Sequence, residues 1–128
     1  MIESLQDFPR GVAAFTGKGQ ITKQDYETVL IPSVEEALKQ PGKLRLYYQI
    51  GPDFSGMEAG ALWEDFKIGV EHRLRWERIA VVTDVDWIRY TIRAFAFTVP
   101  ATVRLFSLSD EAQAREWITE GMARPASA

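Results

Sequence analysis

The sequence predicts an α/β domain, and three observations carry that reading. "RIAVVTD" is an unbroken apolar run of strand length, the pattern of a parallel strand covered on both faces. "KLRLYYQI" alternates, with Leu44, Leu46, Tyr48 and Ile50 on one face and Arg45, Tyr47 and Gln49 on the other, so a second strand has one partly polar face. Segments with apolar residues at helical spacing separate the strands, and that alternation implies right-handed crossovers and a largely parallel sheet.

In chain order, "MIESLQDF" and "GVAAFTGKG", parted by the turn-like "PR", predict an N-terminal antiparallel pair. "ITKQDYETVLIPSVEEALKQPGK" predicts the first helix. Thr22 stands three residues before Asp25, a capping-box spacing, and Pro41-Gly42 closes the segment. Pro32 is expected to bend or break it. After the strand ending at Ile50, "GPD" makes a turn, and "SGMEAGALWEDFKIGVEHRL" predicts a second helix from Leu62, Trp63, Phe66, Ile68 and Val70. "VDWIRYTIRAFAFTV" is a third helix stopped by Pro100, "TVRLFSL" a further strand, and "SDEAQAREWITEG" a last helix capped by Ser109 or Asp110, with Gly121 beyond its end. The order is ββαβαβαβα, about five strands and four helices in one domain over residues 1–121, with 122–128 as a flexible tail. Polar Arg45, Gln49 and Arg104 on strands argue that helices cover the two sheet faces unequally.

Composition narrows the function. The 128 residues carry a net charge of −3, which opposes duplex nucleic acid, a ligand bound through clustered Lys and Arg. The absence of cysteine removes disulfides, thiolate nucleophiles and Cys-type zinc sites, and fits a reducing cytoplasm. No apolar run approaches the ~18 to 20 residues of a membrane span, and "MIESLQDFPR" lacks the features of a signal peptide. A cytoplasmic protein is expected. His72 stands without Cys or an evident triad partner and supports neither a metal site nor nucleophilic catalysis. "GKGQIT" lacks phosphate-loop spacing.

Three features remain as candidates. Ser55, after Gly51-Pro52-Asp53-Phe54 and before Gly56, sits where a strand end meets a helix start, a place suited to phosphate. Read structurally, it caps that helix, with Glu58 three residues on completing a capping box; one hydroxyl can serve both roles. Asp53, Asp84 and Asp86 fall on neighbouring loops by topology. They are either a carboxylate rim able to hold Mg²⁺ or, for Asp84 and Asp86, an N-cap and a first-turn acid. The third helix carries a stripe of Ile88, Ile92, Phe95 and Val99, with Trp87, Tyr90, Ala94 and Phe97 on other faces. That is either a helix covered on several sides, a self-association surface, or the lining of an acyl-chain site.

The strings "DYETVLIPSVEEAL", "GALWEDFKIGVEH", "ERIAVVTDVDWIR" and "EAQAREWI" resemble the SpoIIAA-like family, small bacterial relatives of STAS and CRAL-TRIO domains. The resemblance covers residues 1–120. It implies a β-α superhelix of about four turns without assigned enzymatic activity. In STAS-type anti-sigma-factor antagonists an Asp-Ser-Ser-Gly stretch carries the phosphoacceptor. Asp53-Phe54-Ser55-Gly56 occupies the matching place, with Ser55 as the acceptor and Phe54 departing from the pattern. Residues and resemblance together point to a protein without catalysis, cofactor or metal, a regulatory or interaction module. It would use Asp53, Phe54, Gly56, Glu58, Asp84 and Asp86, switched at Ser55, with a protein partner and a homodimer among the expected states. The alternative is a CRAL-TRIO-like binder of small hydrophobic molecules or lipids, lined by Trp63, Phe66, Trp87, Ile88, Phe95 and Phe97.

Overall fold

A computed structural model describes residues 1–58, 60–61, 74–98 and 100–122. Strands β1 (Ile2–Ser4) and β2 (Val12–Gly17) pair antiparallel. β2 then pairs parallel with β4 (Leu44–Ile50), β4 with β6 (Trp76–Val82), and β6 with β7 (Thr102–Phe106), giving a five-stranded sheet in the order β1-β2-β4-β6-β7. The expected mixed sheet, an antiparallel start followed by parallel strands, is therefore present. An unforeseen second sheet joins β3 (Gln20–Ile21) to β5 (Gly56–Met57) in parallel.

The first helical stretch opens as predicted. Thr22 Oγ1 accepts from Asp25 N at 3.1 Å and Asp25 Oδ2 accepts from Thr22 N at 2.9 Å, closing the capping box over α1 (Lys23–Asp25). The chain does not break at Pro32. It passes through a π-helical segment, Tyr26–Leu30, into α2 (Ile31–Leu38), with Pro32 in the first turn of α2. Proline cannot donate, and the wide turn before it, with Ile31 N bonded to Tyr26 O, is a register shift of the kind seen where helix hydrogen bonding is interrupted. α3 (Asp86–Phe95) connects β6 to β7, and α4 (Glu111–Thr119) follows β7. Among the described residues three helical stretches have both ends, against the four expected, and Gly60 and Ala61 are helical just before 62–73. The second predicted helix falls largely on 62–73, outside the described residues, as does His72.

Two cores lie on opposite sides of the sheet. Phe15, Leu44, Tyr48 and Ile50 meet Tyr26, Leu30, Val34 and Ile88 from the first helical stretch and α3. On the other side Ala14, Tyr47, Ala80, Val82 and Phe106 meet Ala114 and Ile118 of α4. The strand alternation in β4 is the cause: Leu44, Tyr48 and Ile50 belong to the first core and Tyr47 to the second.

The polar strand residues hold α4 down. Arg45 donates to the carbonyls of Ile118 at 3.0 Å and Glu120 at 2.7 Å, and Arg78 to that of Trp117 at 2.8 Å. The Ile118 and Glu120 carbonyls are of the kind a helix end leaves without intrahelical partners, and that of Trp117 also accepts from Glu120 N at 3.3 Å. The guanidinium groups of Arg78 and Arg104 also lie 5.1 and 5.3 Å from the Trp117 ring, within cation–π range. The side with polar strand residues is thus covered by α4.

Candidate functional site

The carboxyl ends of β4, β6 and β7 lie side by side, and the loops leaving them form one rim. The first loop is a tight turn: Phe54 N donates to Gly51 O at 3.2 Å, with Pro52 fixing the backbone of its second position. Ser55 N then donates to Gly19 O at 2.9 Å, Gly56 and Met57 pair with Gln20 and Ile21, and Glu58 N donates to Ile21 O at 2.9 Å. Gly19 supplies the left-handed conformation (φ 56°) that turns β2 into β3.

This geometry corrects the capping expectation. Ser55 leads into a strand, and the described helical residues after it begin at Gly60, with Ala61 N bonded to Glu58 O. Ser55 therefore does not cap a helix, and Glu58 does not complete a box with it. The Glu58 carboxylate instead accepts from Lys23 N at 2.9 Å, serving the start of α1. The competing partner is the β3 edge, which captures the backbone that local spacing assigns to a helix turn. Ser55 itself is exposed.

On the second loop, the position expected for Asp84 at the cap of α3 is taken by Val85. Asp84 Oδ1 accepts instead from Leu108 N at 3.1 Å, tying the loop after β6 to the one after β7. Buried Thr83 turns the chain, its Oγ1 accepting from Val85 N at 3.1 Å. Asp86 is in the first turn of α3 as predicted. Asp110 stands before α4, without a side-chain cap bond. Asp53, Asp84 and Asp86 do not gather: among the described residues no group of three or more His, Asp or Glu side chains is placed to hold a metal ion.

The rim does bring together Phe54 and Trp87, whose rings lie 6.2 Å apart at 45°, a favourable tilted aromatic pair. Phe54 packs on the first core while Trp87 stays 43% exposed. One half of this apolar shelf, Phe54, immediately precedes Ser55 in the chain. Each residue is a candidate from sequence, but their contact depends on strand order and carries no local signal. Of the other apolar candidates, Ile88 is buried in the core, Phe95 is half-buried, and Phe97 is 93% exposed, while Trp63 and Phe66 lie outside the described residues. Tyr90 of α3 is 75% exposed, and the exposed Phe97 lies in the 3-10 turn after it, so α3 is not a helix covered all round.

A second polar cluster lies on the α4 side. Arg115 bonds Asp7 at 2.8 Å and Glu111 at 3.2 Å and lies over the rings of Phe8 and Tyr47. Tyr47 donates to Gln49 Oε1 at 2.7 Å, and Gln49 donates to Glu111 at 2.9 Å. Burial pushes the Tyr47 hydroxyl up to about 12, and the Arg115 hydrogen bond holds Asp7 below the usual carboxylate range. Every polar side chain in this cluster has a partner inside the fold. It reads as the fastening of α4 and of the segment between β1 and β2.

The model of the SpoIIAA-like family matches residues 12–119. No curated protein matches the chain. Among solved structures, an uncharacterized protein of the DUF3478 family from Shewanella loihica, with a SpoIIAA-like fold, is similar at 24% identity and a TM-score of 0.68 over 92% of each chain. That likeness shows the fold.

Proposed function

The chain belongs to the SpoIIAA-like family, and from that premise we propose that it is a non-catalytic interaction module of the STAS-like kind, docking a protein partner on the rim and switched at Ser55. The observation that carries the reading is the exposed Ser55 set next to the Phe54–Trp87 shelf. A half-exposed tryptophan in the first turn of a helix, packed on the loop beside it, is the type of residue that anchors interfaces. The Ser55 backbone is fixed by its bond to Gly19, so the hydroxyl is presented at a defined place.

Phosphorylation would add roughly −1.5 to −2 charge there. No helix N-terminus begins at Ser55 to offset it, and Asp53 and Glu58 flank it in the chain. The expected effect is repulsion of a partner seated on the shelf. The experiment is intact-mass spectrometry of the protein from its own cells, growing and starved, followed by binding assays with the partners recovered there. A phosphate on Ser55, with partner affinity lost in Ser55→Glu and kept in Ser55→Ala, supports the proposal. Unchanged binding to every partner in both variants defeats it.

A further inference from the structure

The open edge of the sheet offers a second surface, at β7, remote in the strand order from β4 and its loop. Among the described residues no strand pairs with β7 on the side away from β6. The carbonyl of Phe106 points inward, accepting from Thr83 N at 2.9 Å. Backbone groups alternate in direction along a strand, so Thr102 and Arg104 also face β6, and Val103 and Leu105 turn their N–H and C=O groups to the open edge. The side chains of the same two residues form one wall of a cleft of about 290 Å³, whose other wall is Arg89, Ile92, Arg93 and Ala96 of α3 and the turn after it.

Arg89 is committed, donating to the carbonyls of Thr83 at 2.9 Å and Phe106 at 3.2 Å and so fixing α3 against β7. Arg93 is exposed and makes no hydrogen bond or ion pair among the described residues. It leaves a positive charge on the lip of the cleft in a chain whose net charge is −3.

We propose that this cleft takes an extended peptide, which adds to β7 as a further strand, sets alternate apolar side chains between α3 and β7, and places an Asp or Glu against Arg93. Three features select that occupant. The unpaired edge supplies main-chain hydrogen bonds, the source of affinity when a strand is added to a sheet, and the alternating pocket supplies specificity. Ile92 and Ala96 face Val103 and Leu105 across the cleft, an apolar slot that suits side chains inserted from a strand laid on β7. The charge of Arg93 selects an acidic residue in place of a basic one.

The test is selection from a random octapeptide library displayed against the folded chain, then calorimetry with a recovered peptide. Expected are peptides with aliphatic residues at alternate positions and at least one Asp or Glu. Affinity should fall about tenfold in Arg93→Glu. It should also vanish when one alternate set of the peptide's backbone amides is N-methylated and persist when the other set is, a readout that leaves the protein untouched. Ser55→Glu should not alter it, which separates this surface from the rim. The proposal is overturned by a library without binders or by recovered peptides lacking the pattern. It is equally overturned by binding insensitive to Arg93→Glu and to both methylation sets, or by a dimer of this chain that occupies the β7 edge and excludes peptide.

Discussion

The carboxylate of Glu58 accepts a hydrogen bond from the backbone N–H of Lys23 at 2.9 Å, across 35 residues of chain. The loop proposed to meet a partner is therefore fastened to the first helical stretch at its start. With the β3–β5 pairing, this contact makes the Ser55 region part of the frame, so a charge placed there acts on a fixed surface.

The contact separates two residues that local spacing joins. Glu58→Ala should cost about 0.5 to 1 kcal/mol, the scale of a lost helix cap. Ser55→Ala should change stability by less than about 0.5 kcal/mol, as at an ordinary surface position. Urea unfolding of both variants checks this, and a larger loss for Ser55→Ala than for Glu58→Ala would restore the capping assignment.

The Phe54–Trp87 pair makes a second prediction. In a cycle of Phe54→Ala, Trp87→Ala and the double variant, the coupling energy should be about 0.5 to 1.5 kcal/mol, as for tilted aromatic pairs. Trp87→Ala alone should weaken partner binding more than it weakens the fold, because Trp87 is 43% exposed. Strictly additive stabilities would show that the loop and α3 move independently.

What is legible in the sequence, and what is not, follows the range of the interactions. The longer strands and the helices over 22–38, 86–95 and 111–119 declare themselves by periodicity and by local signals such as the Thr22 and Asp25 capping spacing, all acting within a few residues. The pairing of Gly56–Met57 with Gln20–Ile21 joins two dipeptides too short to have a period, and it displaces the cap assigned to Ser55. Asp84 has the right type and spacing for an N-cap, yet the amide of Leu108 competes for it from the far side of a crossover. Arg45, Gln49 and Arg104 signal polar strand faces, but the service of Arg45 to the end of α4, and of Arg78 in the strand read as apolar, is visible only once α4 folds back over the sheet.

That service gives a third prediction. The Arg45 side chain is only 11% exposed and holds the carbonyls of Ile118 and Glu120 together with the Glu77 carboxylate. Arg45→Met keeps most of the aliphatic stem and removes every donor, so it should destabilise the domain by about 2 kcal/mol, the scale of lost bonds to a charged group. Amide exchange should accelerate in α4 before it does in α1 and α2. Uniform acceleration would mean that α4 is not held separately by the strand arginines.

The capping box sets a pH dependence. Burial raises the Asp25 carboxyl, but the backbone and hydroxyl of Thr22 and the Met1 amino group outweigh it, so the folded value lies below the ordinary one. A carboxyl depressed in the folded state favours folding above its unfolded value of about 3.9, and that contribution disappears as pH falls through the folded value. Other carboxylates titrate in the same window, Asp7 among them, so the comparison needs Asp25→Asn, which keeps an acceptor for Thr22 N and removes the charge. Wild type should exceed Asp25→Asn in stability at about pH 6, and the gap should close as pH falls from about 4 toward about 2. A gap independent of pH would assign the contribution of Asp25 to hydrogen-bond shape alone, with no part played by its charge.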